Sequence, residues 1–234
     1  MREIIVERRF QGPSQSANGG YIAGVLAELI DGPAEITLRS PPPLDTPMSL
    51  EPDGEGFRLS HGDTLVGSVR PGGFDLEIPS KPSDSLIDAA RADYPGEKLN
   101  LLPHCFVCGV ARAEGDGLRV FASPIPGASM VAARWTPHAS MTGEGGKVLE
   151  RYVFAALDCP GAYAFHGETG GSMLLGRITG EVTGMVRAGE SCTVMAWQEG
   201  RDGRKAFAGS AVLNAAGDVV ASARATWIVV ENLS

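Results

Sequence analysis

The sequence predicts an α+β fold made of two like units, each an antiparallel sheet wrapped around one central helix. Two observations carry this. First, two apolar helical patterns echo one another, SQSANGGYIAGVLAELIDG over residues 14–32 and GEGGKVLERYVFAALDCPG over residues 143–161, each with a glycine pair ahead of it and strand-like runs behind it. Second, four long β-rich runs separated by Gly/Asp breaks follow the second helix, the pattern of an antiparallel meander rather than of alternating β and α units. The copies differ in chemistry: glycines stand at the start of the first helix, and a carboxylate, Asp158, lies within the apolar run of the second.

In order along the chain, residues 4–10 form a short β-like run, and a polar Gly/Pro/Ser loop ends at Asn18, a good helix N-cap. The first helix follows. Tyr21, Ile22, Val25, Leu26, Leu29 and Ile30 share one broad face at helical spacing, and Asp31-Gly32-Pro33 stops the pattern. Residues 35–39, 48–51, 57–60 and 64–69 read as short strands between Pro- and Gly-rich turns. A connection over 71–102, holding a short helix near 84–91, joins the units, which gives an N-terminal unit over 1–95 and a C-terminal unit over 96–234. In the second unit, 118–122 and 130–135 read as strands, 148–159 as the helix, and 173–186, 191–199, 206–214 and 219–230 as the meander.

Composition narrows the function classes. A chain of 234 residues buries a substantial core as one large domain or two small ones. The net charge of −8, with no basic stripe, argues against a nucleic-acid partner, whose phosphates require clustered Lys and Arg. No apolar stretch approaches the roughly 20 residues of a membrane span, and MREIIVERRF is unlike a secretory leader, so a cytoplasmic chain with reduced thiols is expected. There is no GxxxxGK[ST] phosphate loop and no GxSxG elbow.

His104-Cys105-Phe106-Val107-Cys108-Gly109 is the sharpest short motif. A structural zinc would need four ligands, so His104, Cys105 and Cys108 would have to be joined by distant Cys159 or Cys192. A redox dithiol usually opens a helix after a strand, whereas a polar loop follows here. The reading adopted is a tight turn leading into the 118–122 strand, without metal or cofactor.

The stretches FAALDCPGAYAF, HCFVCGVARAEGDGLRVF and NGGYIAGVLAEL, in this order and spacing around the helices and the meander, resemble hotdog-fold acyl-CoA thioesterases in the double-hotdog arrangement. The resemblance implies an acyl-CoA or related thioester as partner, no cofactor, and a site across the interface of two hotdogs. There, the glycine pair opening one helix faces a carboxylate about two turns into the other. Here neither copy carries both parts: Gly19 and Gly20 match the pair in the first, where the acid position falls at Ala27 with Glu28 next to it. Asp158 matches the acid in the second, where Glu150 and Arg151 occupy the glycine positions. The two remnants together imply one composite site, with Asp158, Gly19 and Gly20 as its catalytic parts. Asn18, Tyr21, Glu28 and His138 are the candidate substrate contacts. Sheet edges left open by such units make a homodimer the expected further assembly.

The chemistry gives these parts a reason. Thioester hydrolysis passes through a tetrahedral oxyanion, which unpaired N–H groups at a helix start stabilise, and glycine lets the substrate carbonyl come close. A desolvated carboxylate whose pKa has risen can serve as nucleophile or as general base on water. The bland alternative for Asp158 is to cap the Pro160-Gly161 turn or to pair with Arg151, and for Asn18 to be only an N-cap. The functional alternative is a noncatalytic acyl-CoA or lipid-binding hotdog.

Overall fold

The computed structural model describes residues 2–168 and 172–231. Its elements are β1 (Arg2–Ile4), α1 (Gly19–Ala27), β2 (Ala34–Leu38), β3 (Met48–Asp53), β4 (Gly56–His61), β5 (Thr64–Pro71), α2 (Asp84–Ala90) and α3 (Pro95–Lys98), then β6 (Ser123–Pro124), β7 (Met130–Trp135), α4 (Glu150–Ala156), α5 (Cys159–Tyr163), β8 (Ser172–Val182), β9 (Cys192–Asp202), β10 (Lys205–Leu213) and β11 (Val219–Val230). The meander is present as expected. Alternating burial along β11 and the small side chains Ala206, Ala208, Ala221, Ala223 and Ala225, all buried, let helices lie close on the sheet.

The expectation of two separate sheets is corrected. All the strands form one antiparallel 11-stranded sheet in the order β1-β3-β4-β5-β2-β8-β11-β10-β9-β7-β6. The seam is the pairing of β2 with β8, where Ile36 faces Ile178 and both side chains are fully buried. Each strand would otherwise present a row of unpaired backbone groups over an apolar face, so joining the two edges satisfies both at once. The edges that remain are β1 and β6, which are only three and two residues long.

α1 and α4 lie together against β2 and β8, so the helix pair crosses the seam. They run antiparallel and very close. A Cβ on Gly20 would fall 2.3 Å from Asp158 Cβ, and one on Gly24 would fall 2.5 Å from the carbonyl oxygen of Arg151 at the other end of α4. At the far end of the pair, Arg151 binds Glu28 through an ion pair of 2.7 Å.

Three local expectations are also corrected. Residues 118–122 are not a strand: the N–H groups of Leu118 and Val120 bond to the carbonyls of Phe106 and Val107, which ties them to the cysteine-bearing turn instead of a sheet partner. Residues 4–10 split into the end of β1 and a 3-10 turn at Arg8–Phe10, whose Phe10 stacks on Tyr21 at 3.8 Å. The helix expected over 148–159 breaks at Asp158, where ψ is −84° and Pro160 follows in the first turn of α5. Pro160 has no N–H to give the Ala156 carbonyl and its ring crowds that carbonyl, so α4 does not continue through it and the carboxylate stands at the junction of two short helices and not inside one.

Candidate active site

The start of α1 is organised by Asn18. Its Oδ1 accepts the Tyr21 N–H at 2.8 Å as a helix N-cap, so its Nδ2 must point the other way, where it donates to Asp158 Oδ2 at 3.0 Å. The same carboxylate oxygen accepts the Gly20 N–H at 3.0 Å. One amide thus caps the helix and holds the carboxylate at once, the first bond fixing the direction of the second.

Asp158 is brought to that point by the α4–α5 break. Its own N–H bonds to Ala155 O at 3.2 Å and its carbonyl accepts the Gly161 N–H at 2.9 Å. The side chain neither caps the Pro160-Gly161 turn nor meets Arg151, which is held by Glu28. It is 2% exposed, and its Oδ1 has no hydrogen-bond partner among the described residues. Burial pushes its pKa up to about 7, helped by the neighbouring Cys105 sulfur and opposed by the bonds from Gly20, Asn18 and Cys159.

Asp158 lies on the wall of a cavity of about 790 Å³ between the two halves of the chain. Gly19 and Asn18 contribute from the first half, Cys105, Cys159, Tyr163 and Trp227 from the second, and Leu38, Leu175 and Ile228 make much of the rest apolar. His166 stands at the exposed rim.

Of the residues singled out in the sequence, Asp158, Gly19, Gly20 and Asn18 come together. Three others do not. Tyr21 packs in an aromatic cluster with Phe10, Phe106 and Tyr152, away from the cavity, because its position three residues past the cap turns it into the core. Burial raises its pKa to about 12. Glu28 is at the opposite end of α1, paired with Arg151. His138 caps a 3-10 turn by accepting the Ser140 N–H at 3.1 Å and does not line the cavity. The expectation that both glycine amides face substrate is corrected in part, since the Gly20 N–H is already taken by Asp158. Cys105 and Cys159, weighed in the sequence only as zinc ligands and set aside there, stand beside Asp158. Only the adjacency of Cys159 to Asp158 hinted at it, because the contact to Cys105 spans 54 positions.

Among solved structures, a Novosphingobium aromaticivorans protein carrying a provisional thioesterase description superposes over 97% of this chain and 94% of its own, with a TM-score of 0.63 at 13% identity. This chain has a hotdog-like fold. Smaller matches include the E. coli PaaI protein of the phenylacetic acid degradation operon, 16% identical over 62% of this chain and 96% of its own, with a TM-score of 0.48. A Streptococcus pneumoniae hypothetical thioesterase solved with coenzyme A is 14% identical over 45% of this chain and 84% of its own, with a TM-score of 0.41. No family model and no curated protein matches the sequence. Among the described residues, no helix is long and apolar enough to cross a membrane.

Proposed function

We propose that this chain is an acyl-CoA thioesterase-type hydrolase, a double hotdog of units 1–95 and 96–234 with one composite site between them. The observation that carries the reading is the 3.0 Å bond from the Gly20 N–H at the start of α1 to the buried Asp158 carboxylate of the other half, on the wall of an apolar cavity. The two remnants that neither half combines on its own are in contact.

In this reading Asn18 and Gly20 hold Oδ2 and orient the carboxylate, which leaves Oδ1 to face the reacting centre. Oδ1 attacks the thioester carbonyl or takes a proton from water as it attacks. The Gly19 N–H, at the first helical position with no intrahelical acceptor, is the donor left for the developing oxyanion, and the helix dipole adds to it. The apolar wall takes the acyl group and excludes water. The corresponding second site is absent: Glu150 and Arg151 stand where glycines would be, and Glu28 is tied to Arg151. Association into a homodimer would use β1 or β6, and edges so short favour a site completed within one chain.

A panel of acyl-CoA substrates with thiol detection tests this on wild type beside Asp158→Asn. The amide oxygen introduced by that substitution can still accept from Gly20 and Asn18, so folding is retained while hydrolysis falls by about 100-fold or more. Equal turnover in the variant would overturn the assignment. The second reading, a binding protein for acyl-CoA or lipid, is favoured by the near-complete burial of Asp158. Tight binding of acyl-CoA by wild type with no thiol release would decide for it.

A further inference from the structure

The cysteine-bearing turn does more than close a loop. Cys105 Sγ and Cys159 Sγ lie 3.7 Å apart, and the sulfurs of Cys105, Cys108 and Cys159 all fall within 4.8 Å of one another. Zinc–sulfur bonds of about 2.3 Å place two sulfurs of a tetrahedron about 3.8 Å apart, so the spacing suits a shared metal. We propose that Cys105, Cys108 and Cys159 bind one soft divalent cation of the zinc type, with its fourth position turned to the cavity. This goes beyond the hydrolase reading and does not depend on it.

Polar donors reach all three sulfurs, and Cys159 Sγ itself lies 3.7 Å from Asp158 Oδ2. Asn18 Nδ2 reaches Cys105 Sγ at 3.6 Å and Cys159 Sγ at 3.7 Å, and Tyr163 Oη donates to Cys108 Sγ at 3.7 Å. Donors placed in this way around sulfur ligands orient them and stabilise their charge. The Tyr94 hydroxyl donates to the Cys108 carbonyl at 2.8 Å, which fixes the turn from behind, and its oxygen stands 3.0 Å from the Tyr163 hydroxyl. The turn needs its glycine, since a Cβ on Gly109 would fall 2.5 Å from the Cys105 carbonyl oxygen.

Three cysteines in a buried pocket are costly as uncompensated thiolates, and a dication supplies the compensation. His104, the other candidate ligand in the motif, is exposed and turned away, with its carbonyl bound by Arg112 at 2.8 Å. Cys192, on β9, lies outside the cluster. All three cluster cysteines line the cavity, so the metal has three protein ligands and a face open to small molecules.

The test uses the full chain, purified without a histidine tag under reducing conditions, then stripped and reloaded with Zn2+ or Co2+. The expected result is one metal per chain and, with Co2+, the near-ultraviolet charge-transfer absorption of cobalt–thiolate bonds. Cys105→Ser and Cys159→Ser should each bind at least about 100-fold more weakly, while Cys192→Ala keeps wild-type stoichiometry and spectrum. Circular dichroism establishes that the serine variants are folded; should either fail to fold, Tyr163→Phe, which keeps all three sulfurs, replaces it with an expected weakening of about tenfold. A reduced chain that takes up no metal, or one that instead forms a Cys105–Cys159 disulfide under conditions that preserve metal–thiolate sites, would overturn the proposal. None of these readouts involves thioester hydrolysis, so the two assignments fail separately.

Discussion

Gly20 is where the two halves of the chain touch most tightly, and its missing side chain is the reason they can. A methyl there would meet the Asp158 Cβ at 2.3 Å and the Ala155 carbonyl at 2.9 Å, neither of which is a flexible side-chain end. Gly20→Ala should therefore cost about 2 kcal/mol in urea unfolding and reduce thioester hydrolysis together with it, because it displaces the carboxylate it contacts. A variant with unchanged stability would mean that the helices separate easily. At Asp158 the pH dependence has a definite sign in the metal-free chain. Its folded pKa of about 7 lies above the unfolded value of about 3.9, so the folded state retains a proton that the unfolded state has lost between those limits. Stability should decline as pH rises from about 4 to 7 and level off above, and Asp158→Asn should remove that decline in thermal melts recorded with a chelator. Hydrolysis needs the ionised form and should rise over the approach to pH 7, then reach a plateau.

At the scale of the elements, α1 and α4 form an antiparallel pair whose contact is set by Gly20 at one end and Gly24 at the other. The second contact is against backbone, with the Arg151 carbonyl oxygen at 2.5 Å and its Cα at 2.8 Å. Gly24→Ala should accordingly destabilise by about 1–3 kcal/mol, against the usual gain of an alanine in a helix, with denaturant titration as the measure. The ion pair of Glu28 with Arg151 adds less: both side chains are about one-third exposed, and such pairs contribute about 1 kcal/mol or less. These elements were unequally legible. The N-cap at Asn18 and the meander followed from residue type and period, whereas α1 ends at Ala27, short of the stop expected at Asp31-Gly32-Pro33. The break at Asp158 went unread although Pro160 marks it, because the apolar run continues through the junction. Residues 118–122 have strand composition, yet their backbone partners belong to the turn at 106–107, a competition that composition does not record.

The whole molecule is governed by the β2–β8 seam. One sheet running through both halves implies one cooperative unit, and the three tryptophans, Trp135, Trp197 and Trp227, report only on the second half. Unfolding followed by tryptophan fluorescence and by far-ultraviolet circular dichroism should coincide. Ile178→Ala, at a fully buried seam position, should shift both transitions together by about 2–4 kcal/mol. Separate transitions would show two independently stable halves. By itself the sequence determined the Asn18 cap, the start of α1 and the meander, and it pointed to Gly19, Gly20 and Asp158 as candidates, because caps, turns and periodicity are local and leave their mark on neighbouring residues. Only the tertiary structure decided that the sheets join, that the Gly20 amide is taken by the carboxylate, that Tyr21, Glu28 and His138 stand elsewhere, and that three cysteines meet beside Asp158. Those outcomes depend on contacts between residues far apart in the chain, whose geometry is set by how helices pack across the seam and not by any local preference of the chain.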